Sequence, residues 1–169
     1  MADCKHKDQR VAVFIDTQNL YWTAKTLYSS RVNFGEVLKL AVSQRKLIRV
    51  FAYVVQTKTG EEKPFFDALT KLGIETRIRP LQEYYGGLKK ADWDVGIVVD
   101  AIRVAPSVDV IVLCSGDGDF VPLVEYLKNQ GKRVEVIAFG KSTSSKLKEI
   151  ADEFIDLDKS PKKYLIRKI

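Results

Sequence analysis

Histidine is nearly missing from this chain: His6 is the only one in 169 residues, and it lies in the polar leader MADCKHKDQR. Chemistry that needs an imidazole, whether a histidine-dependent nuclease or a Ser-His or Cys-His pair, has no well-placed residue to carry it. Cysteine is scarce too. Cys4 stands in the leader and Cys114 in an apolar run, a spacing that builds neither a disulfide framework nor a zinc site, so a reducing cytoplasm is the expected location. No apolar stretch approaches the roughly 20 residues that cross a bilayer, and the leader has no apolar signal core, so a soluble protein without a membrane partner is expected. Glycines are absent from Thr17-Gln18-Asn19-Leu20-Tyr21-Trp22, which follows the first apolar run. Without them the backbone cannot approach a pyrophosphate as dinucleotide-binding enzymes do.

What remains is an ordinary composition for one globular domain, with 28 Lys and Arg against 22 Asp and Glu and a net charge of +6,. An excess of this size points to a nucleic-acid partner only where it adjoins a site. The basic clusters are Arg77 with Arg79, Lys89-Lys90, and the tail from Lys159 to Lys168, with Tyr84, Tyr85 and Tyr164 nearby.

Hydrophobic period divides the chain into alternating elements. Residues 10–16 form a short, almost wholly apolar strand. Asn33 and Glu36 have the spacing of a capping box ahead of a helical pattern. Strands are expected at 47–55, 74–80, 108–114 and 133–139, with a short one at 153–157. Helical patterns occupy 61–73, 93–105, 122–131 and 144–151. Strands apolar on both faces and separated by helices imply a mainly parallel sheet covered on both sides, an α/β protein. Ligands in such sheets gather beyond the carboxyl ends of the strands, where the topology changes direction.

Carboxylates stand at two of those ends. The first strand closes on Asp16, and CSGDGDF at 114–120 sets Asp117 and Asp119 between glycines. A strand-to-helix turn with an N-cap is the ordinary use of Asp and Gly. A third source is KKADWDVGIVVDAI, where Asp92 is a candidate cap and Asp94 sits in the first helical turn. Asp100 lies in an apolar run, with Arg103 three residues on as the expected partner. Asp94 and Asp100 do not share a face of an ideal helix. Convergence of Asp16, Asp94, Asp117 and Asp119 would raise their pKa values unless a cation neutralised them, and an all-oxygen set favours Mg²⁺ or Mn²⁺. Such an ion supports phosphodiester hydrolysis without a basic side chain.

The stretches FIDTQNLY (14–21), KKADWDVGIVVDAI (89–102), SGDGDFVPLVEYLKNQGKRVEVIAFG (115–140) and SSKLKEIADEFIDL (144–157) together resemble the NYN domain family, especially its LabA-like branch. That family belongs to the PIN-like nuclease superfamily. The resemblance implies a Rossmann-like, PIN-like three-layer α/β/α sandwich over residues 10–158, with polar or basic tails at 1–9 and 159–169. It also implies a metal-dependent ribonuclease with RNA as partner and Mg²⁺ or Mn²⁺ as cofactor. By position, Asp16, Asp94, Asp117 and Asp119 match the family's acidic site, and Asn19, Ser115 and Asp100 match supporting positions. Lys89-Lys90 stands where many relatives have Lys-Gly, and these lysines are the expected RNA contacts at the rim. Two other readings stay open: a non-catalytic RNA-binding module on the same fold, and a haloacid-dehalogenase-type phosphatase. The latter would need a carboxylate two residues after Asp16, where Gln18 stands.

Overall fold

The computed structural model describes residues 5–83, 85, 89–90 and 92–167; the side chains of Glu83, Lys89 and Lys90 lie outside the described set, as do Cys4 and Tyr84. The first strand, β1 (Arg10–Asp16), runs directly into α1 (Thr17–Tyr28), followed by β2 (Ser30–Val32) and α2 (Phe34–Val42). Next come β3 (Lys46–Gln56), α3 (Lys63–Lys71), β4 (Glu75–Pro80), a small hairpin of β5 (Gln82–Glu83) and β6 (Lys89–Lys90), and α4 (Asp94–Val104). The remainder is β7 (Val110–Cys114), α5 (Val121–Asn129), β8 (Arg133–Ala138), α6 (Ser145–Ile150), β9 (Glu153–Asp156), α7 (Pro161–Tyr164) and β10 (Leu165–Arg167).

Six strands form one sheet in the order β4-β3-β1-β7-β8-β9, and every pairing in it is parallel. This is the Rossmann-type order, with the change of direction between β1 and β7. One face of the sheet carries α1, α2 and α3 over Val11, Val13, Ile15, Val50 and Ala52. The other carries α4, α5 and α6 over Ala12, Phe14, Phe51, Tyr53, Ile111 and Leu113. Successive residues of β1 are therefore buried on opposite sides, which is why its sequence is a continuous apolar run rather than an alternation.

The register places the site. Ile15 pairs with Cys114, so Asp16 and Ser115 leave the sheet side by side at the carboxyl ends of the two central strands. His6 belongs to the turn before β1, hydrogen-bonded through Nδ1 to the Asp8 amide, and so lies toward the opposite end of that strand.

Three details depart from the sequence reading. TQNLYWTAKTLY, to which the hydrophobic period assigns no element, is helical from Thr17 onward, because Asp16 caps it and Leu20 and Ala24 are buried beneath it,. The segment after Asp158 is not merely a basic tail. Tyr164 is buried, and Leu165–Arg167 pairs antiparallel with Ser30–Val32, so the apolar residues between its lysines fix it to the body. Asp92 does not cap α4: the capping position is Trp93, with no side-chain bond. Of the capping box expected from Asn33 and Glu36 only one half forms: the Asn33 side chain accepts from the Glu36 amide at 3.3 Å, while the Asn33 amide donates to the Tyr164 carbonyl at 2.7 Å rather than to Glu36,. Among the described residues no helix is long and apolar enough to cross a membrane.

Candidate functional site

Asp16 occupies the last position of β1 and caps α1, and both of its oxygens are engaged. Oδ1 accepts from the Asn19 amide at 3.3 Å, and Oδ2 accepts from the Ser115 hydroxyl at 2.8 Å. Asn19 in turn accepts the Gly116 amide through Oδ1 at 2.9 Å, and Ser115 Oγ accepts the Asp117 amide at 3.2 Å. The two strand ends are thus tied together, Asp16 to Ser115 through their side chains and Asn19 to the Gly116 backbone. The loop then turns once more, with Asp117 Oδ1 accepting from the Asp119 amide at 2.9 Å.

The glycines of SGDGD answer to the neighbouring loop after β8. A Cβ on Gly116 would meet Thr143 Oγ1 at 2.7 Å, and one on Gly118 would meet Ser144 Oγ at 2.9 Å. The Ser144 amide donates to the Gly116 carbonyl at 3.0 Å. Close backbone approach, rather than turn propensity alone, requires glycine at both positions.

The result is an acidic cluster. Asp94, Asp117 and Asp119 each offer a carboxylate oxygen, and these atoms lie within 4.8 Å of one another. Asp94 arrives from the first turn of α4 on one side, and Asp117 and Asp119 from the loop after β7 on the other. Asp16 stands outside this trio but acts on it by charge. Burial chiefly raises the Asp16 carboxyl above its ordinary value, against the bonds from Ser115 and Asn19, and Asp117 and Asp92 add to the rise. Asp94 is pushed up to about 6, first by burial and then by Asp117, Asp16, Asp92 and Asp119. Among the described residues none of these four aspartates forms an ion pair with a lysine or arginine. An oxygen-only set of three adjacent carboxylates without a compensating side chain suits a hard divalent ion.

This electrostatic tension has a measurable consequence. A carboxylate whose folded pKa is raised contributes stability that is fully present below its unfolded pKa and is lost as the pH rises through the folded value. Asp94→Asn should therefore melt higher than the wild type in metal-free buffer above about pH 6, and the gap should close toward about pH 4, where both side chains are neutral. After discounting for the partial exposure of Asp94, the gain is about 1 kcal/mol, or roughly 2–4 °C in a chain of this size. Melting curves at several pH values with EDTA check this, and equal curves at neutral pH would contradict it.

Asp100 is six residues beyond Asp94, on a different face of α4, and it is not a member of the cluster. It accepts from the Tyr53 hydroxyl at 2.8 Å and lies 3.4 Å from Arg77. The expected partner Arg103 is not the one used. Arg77 comes from the edge strand β4, across the layer, where helical spacing cannot point. Lys89 and Lys90 form β6, paired antiparallel with Gln82–Glu83; their contacts fall outside the described residues.

Trp93, not singled out from the sequence, and Arg79, read there only as part of a basic cluster, complete the surroundings. Trp93 Nε1 donates to the Val54 carbonyl at 2.9 Å, and the Arg79 guanidinium lies 4.3 Å above the indole while donating to the Asp92 carbonyl. These contacts fasten the start of α4 to β3 and β4 and so hold Asp94 toward the loop after β7. The signal available in the sequence was a tryptophan one residue before the helical carboxylate.

Comparison with known proteins identifies relatives of the whole fold. The chain is 26% identical over 163 residues to the low amplitude and bright protein LabA of Synechococcus elongatus, covering 90% of this chain and 86% of that one. An uncharacterized protein of Methanocaldococcus jannaschii is 35% identical over 72 residues, 41% of this chain and 30% of its own length. The crystal structure of a protein of unknown function from Vibrio parahaemolyticus superposes with a TM-score of 0.86 at 32% identity, covering 96% of this chain and 99% of that one. Residues 10–158, nearly the whole of the described fold, match the NYN domain, and the chain belongs to the NYN domain family.

Proposed function

We propose that the protein is a divalent-metal-dependent ribonuclease. The observation that carries this reading is the meeting of Asp94, Asp117 and Asp119 within 4.8 Å at the switch point of the sheet. The NYN family, with its PIN-like nuclease relationship, supports both the reaction and RNA as the partner.

In this reading Asp94, Asp117 and Asp119 hold Mg²⁺ or Mn²⁺, and Asp16 adds negative charge from behind. When bound, such an ion supplies positive charge toward a phosphodiester and makes water easier to deprotonate. The chain's own residues fix the geometry. Ser115 and Asn19 clamp Asp16 and the Gly116 amide, and the Asp119 amide pins one oxygen of Asp117. These bonds set the loop before any substrate arrives, which is the preorganisation such catalysis requires. Lys89 and Lys90, on the hairpin that precedes α4 in the chain, are proposed as phosphate contacts.

The test is incubation of a mixed pool of structured and single-stranded RNA with Mg²⁺, Mn²⁺ or EDTA. Cleavage with either metal and none with EDTA is expected. RNA that is bound but left intact under all conditions would replace the nuclease with a non-catalytic RNA-binding module.

A further inference from the structure

Beside the acidic cluster, the edge of the sheet and the outer side of α4 enclose an open groove of about 420 Å³, lined by Arg77, Arg79, Trp93, Val95, Val99 and Arg103, with Asp100 at its floor. Trp93 and Val95 are the chain neighbours of Asp94, so the groove begins where the carboxylates end. We infer that this groove is the path along which a single-stranded RNA reaches the site, an inference that rests on the ribonuclease reading.

Charge is the first support. Three guanidiniums face one carboxylate in the groove, and Arg103 forms no ion pair among the described residues. Phosphates are repelled by the aspartates themselves, so the strand needs cationic groups alongside them to fix its register. The arginines are also held in place. The Arg79 guanidinium is 4.3 Å from the centre of the Trp93 ring and Arg77 is 5.2 Å from the centre of the Phe51 ring, which leaves less side-chain entropy to lose on binding,. Guanidinium planes and apolar surfaces accept unpaired bases without regard to sequence. Val95, 73% exposed, and the half-exposed Val99 supply the apolar part. A duplex shows its bases only at their edges, so this mixture of flat cations and apolar side chains fits a single strand better.

Another basic and aromatic surface, around Tyr21, Lys25 and Arg31, belongs to the α1 side of the sheet and serves as the control. Binding of a fluorescent oligouridylate of about 12 nucleotides is measured against salt in the presence of Mg²⁺, with turnover blocked by Asp117→Asn. Adding Arg79→Gln and Arg103→Gln together should flatten the log-log salt slope by about 1.4 and weaken binding at least about tenfold, since each phosphate contact on a single strand contributes about 0.7. Arg103→Gln alone, at an exposed position where folding is not at stake, should flatten it by about 0.7. Lys25→Ala with Arg31→Ala should leave the slope unchanged. RNA binding with a slope that Arg103→Gln and the double change both leave intact, or that only the α1 pair reduces, overturns the groove while the ribonuclease reading stands. A chain that binds no RNA at any salt concentration overturns both. If sedimentation shows a dimer that Val99→Glu dissociates, the groove is an interface between copies and the inference falls.

Discussion

Arg45→Met is expected to cost about 3–5 kcal/mol of folding stability, the loss that follows removal of one partner from a buried ion pair. The side chains of Arg45 and Glu135 are 1% and 0% exposed. Two parallel bonds join them, from Nη1 to Oε1 at 2.9 Å and from Nη2 to Oε2 at 2.8 Å, while Nη2 also donates to the Ala41 carbonyl and Nε to the Val42 carbonyl. Methionine fills much of the space but leaves a buried carboxylate in the sheet that keeps a direct bond from Arg133, at 3.0 Å, and the charge of Lys5, without the bidentate partner. Burial pushes the Glu135 carboxyl upward, yet the bonds and charge of Arg45, helped by Arg133, hold it below its ordinary value. A depressed carboxylate contributes stability that is present above its unfolded pKa and is lost as the pH falls through the folded one. The gap between variant and wild type should therefore be widest near neutrality and narrow in acid. Urea melts at about pH 7 and about pH 4 measure it. Replacing both charges, Arg45→Met with Glu135→Leu, should recover most of the loss, because an apolar pair in the place of a buried ion pair is often neutral or better. A single variant within about 0.5 kcal/mol of wild type would show that the pair does not brace the sheet.

Glu135 could be seen in the sequence as a charge inside the alternating run RVEVIAF, but its partner could not, since Arg45 lies 90 positions away. The same limit applies elsewhere. β1 and β7 were legible because a strand buried on both faces writes its burial into every residue. α1 was not, because TQNLYWTAKTLY mixes β-branched and aromatic residues of modest helix propensity. Its helix is decided by the cap from Asp16 and by Leu20 and Ala24 beneath the layer, and both causes are only visible in three dimensions.

The candidate site divides in the same way. Asp16, Asp117 and Asp119 were marked by their positions after apolar strands, and Asp94 by its place in the first turn of a helix. Which carboxylates aim at one point depends on side-chain direction, and only the structure separates the trio from Asp16. Asp100 shows the cost of local reckoning: spacing along one helix pointed to Arg103, while the actual partners, Tyr53 and Arg77, come from the two strands beneath. The glycines of SGDGD were read as turn residues, and their stronger reason, the loop carrying Thr143 and Ser144, lies beyond the next strand.

Asp117→Asn is expected to lower metal-dependent RNA cleavage by about 10²–10³-fold, the consequence of losing several kcal/mol of transition-state charge stabilisation. The substitution isolates charge from shape. Asp117 Oδ1 accepts from the Asp119 amide, and an asparagine carbonyl oxygen accepts the same bond, so the turn keeps its form. What is lost is the charge of one of three adjacent carboxylates. With less negative charge beside Asp94, the variant should melt no lower than the wild type in EDTA and should gain less from added Mn²⁺. More Mn²⁺ should also be needed to reach half of the residual rate. Loss of cleavage together with a lowered melting temperature would point instead to a damaged loop. Cleavage within about threefold of wild type, less than 1 kcal/mol at the barrier, would remove Asp117 from the chemistry and with it the proposed metal site.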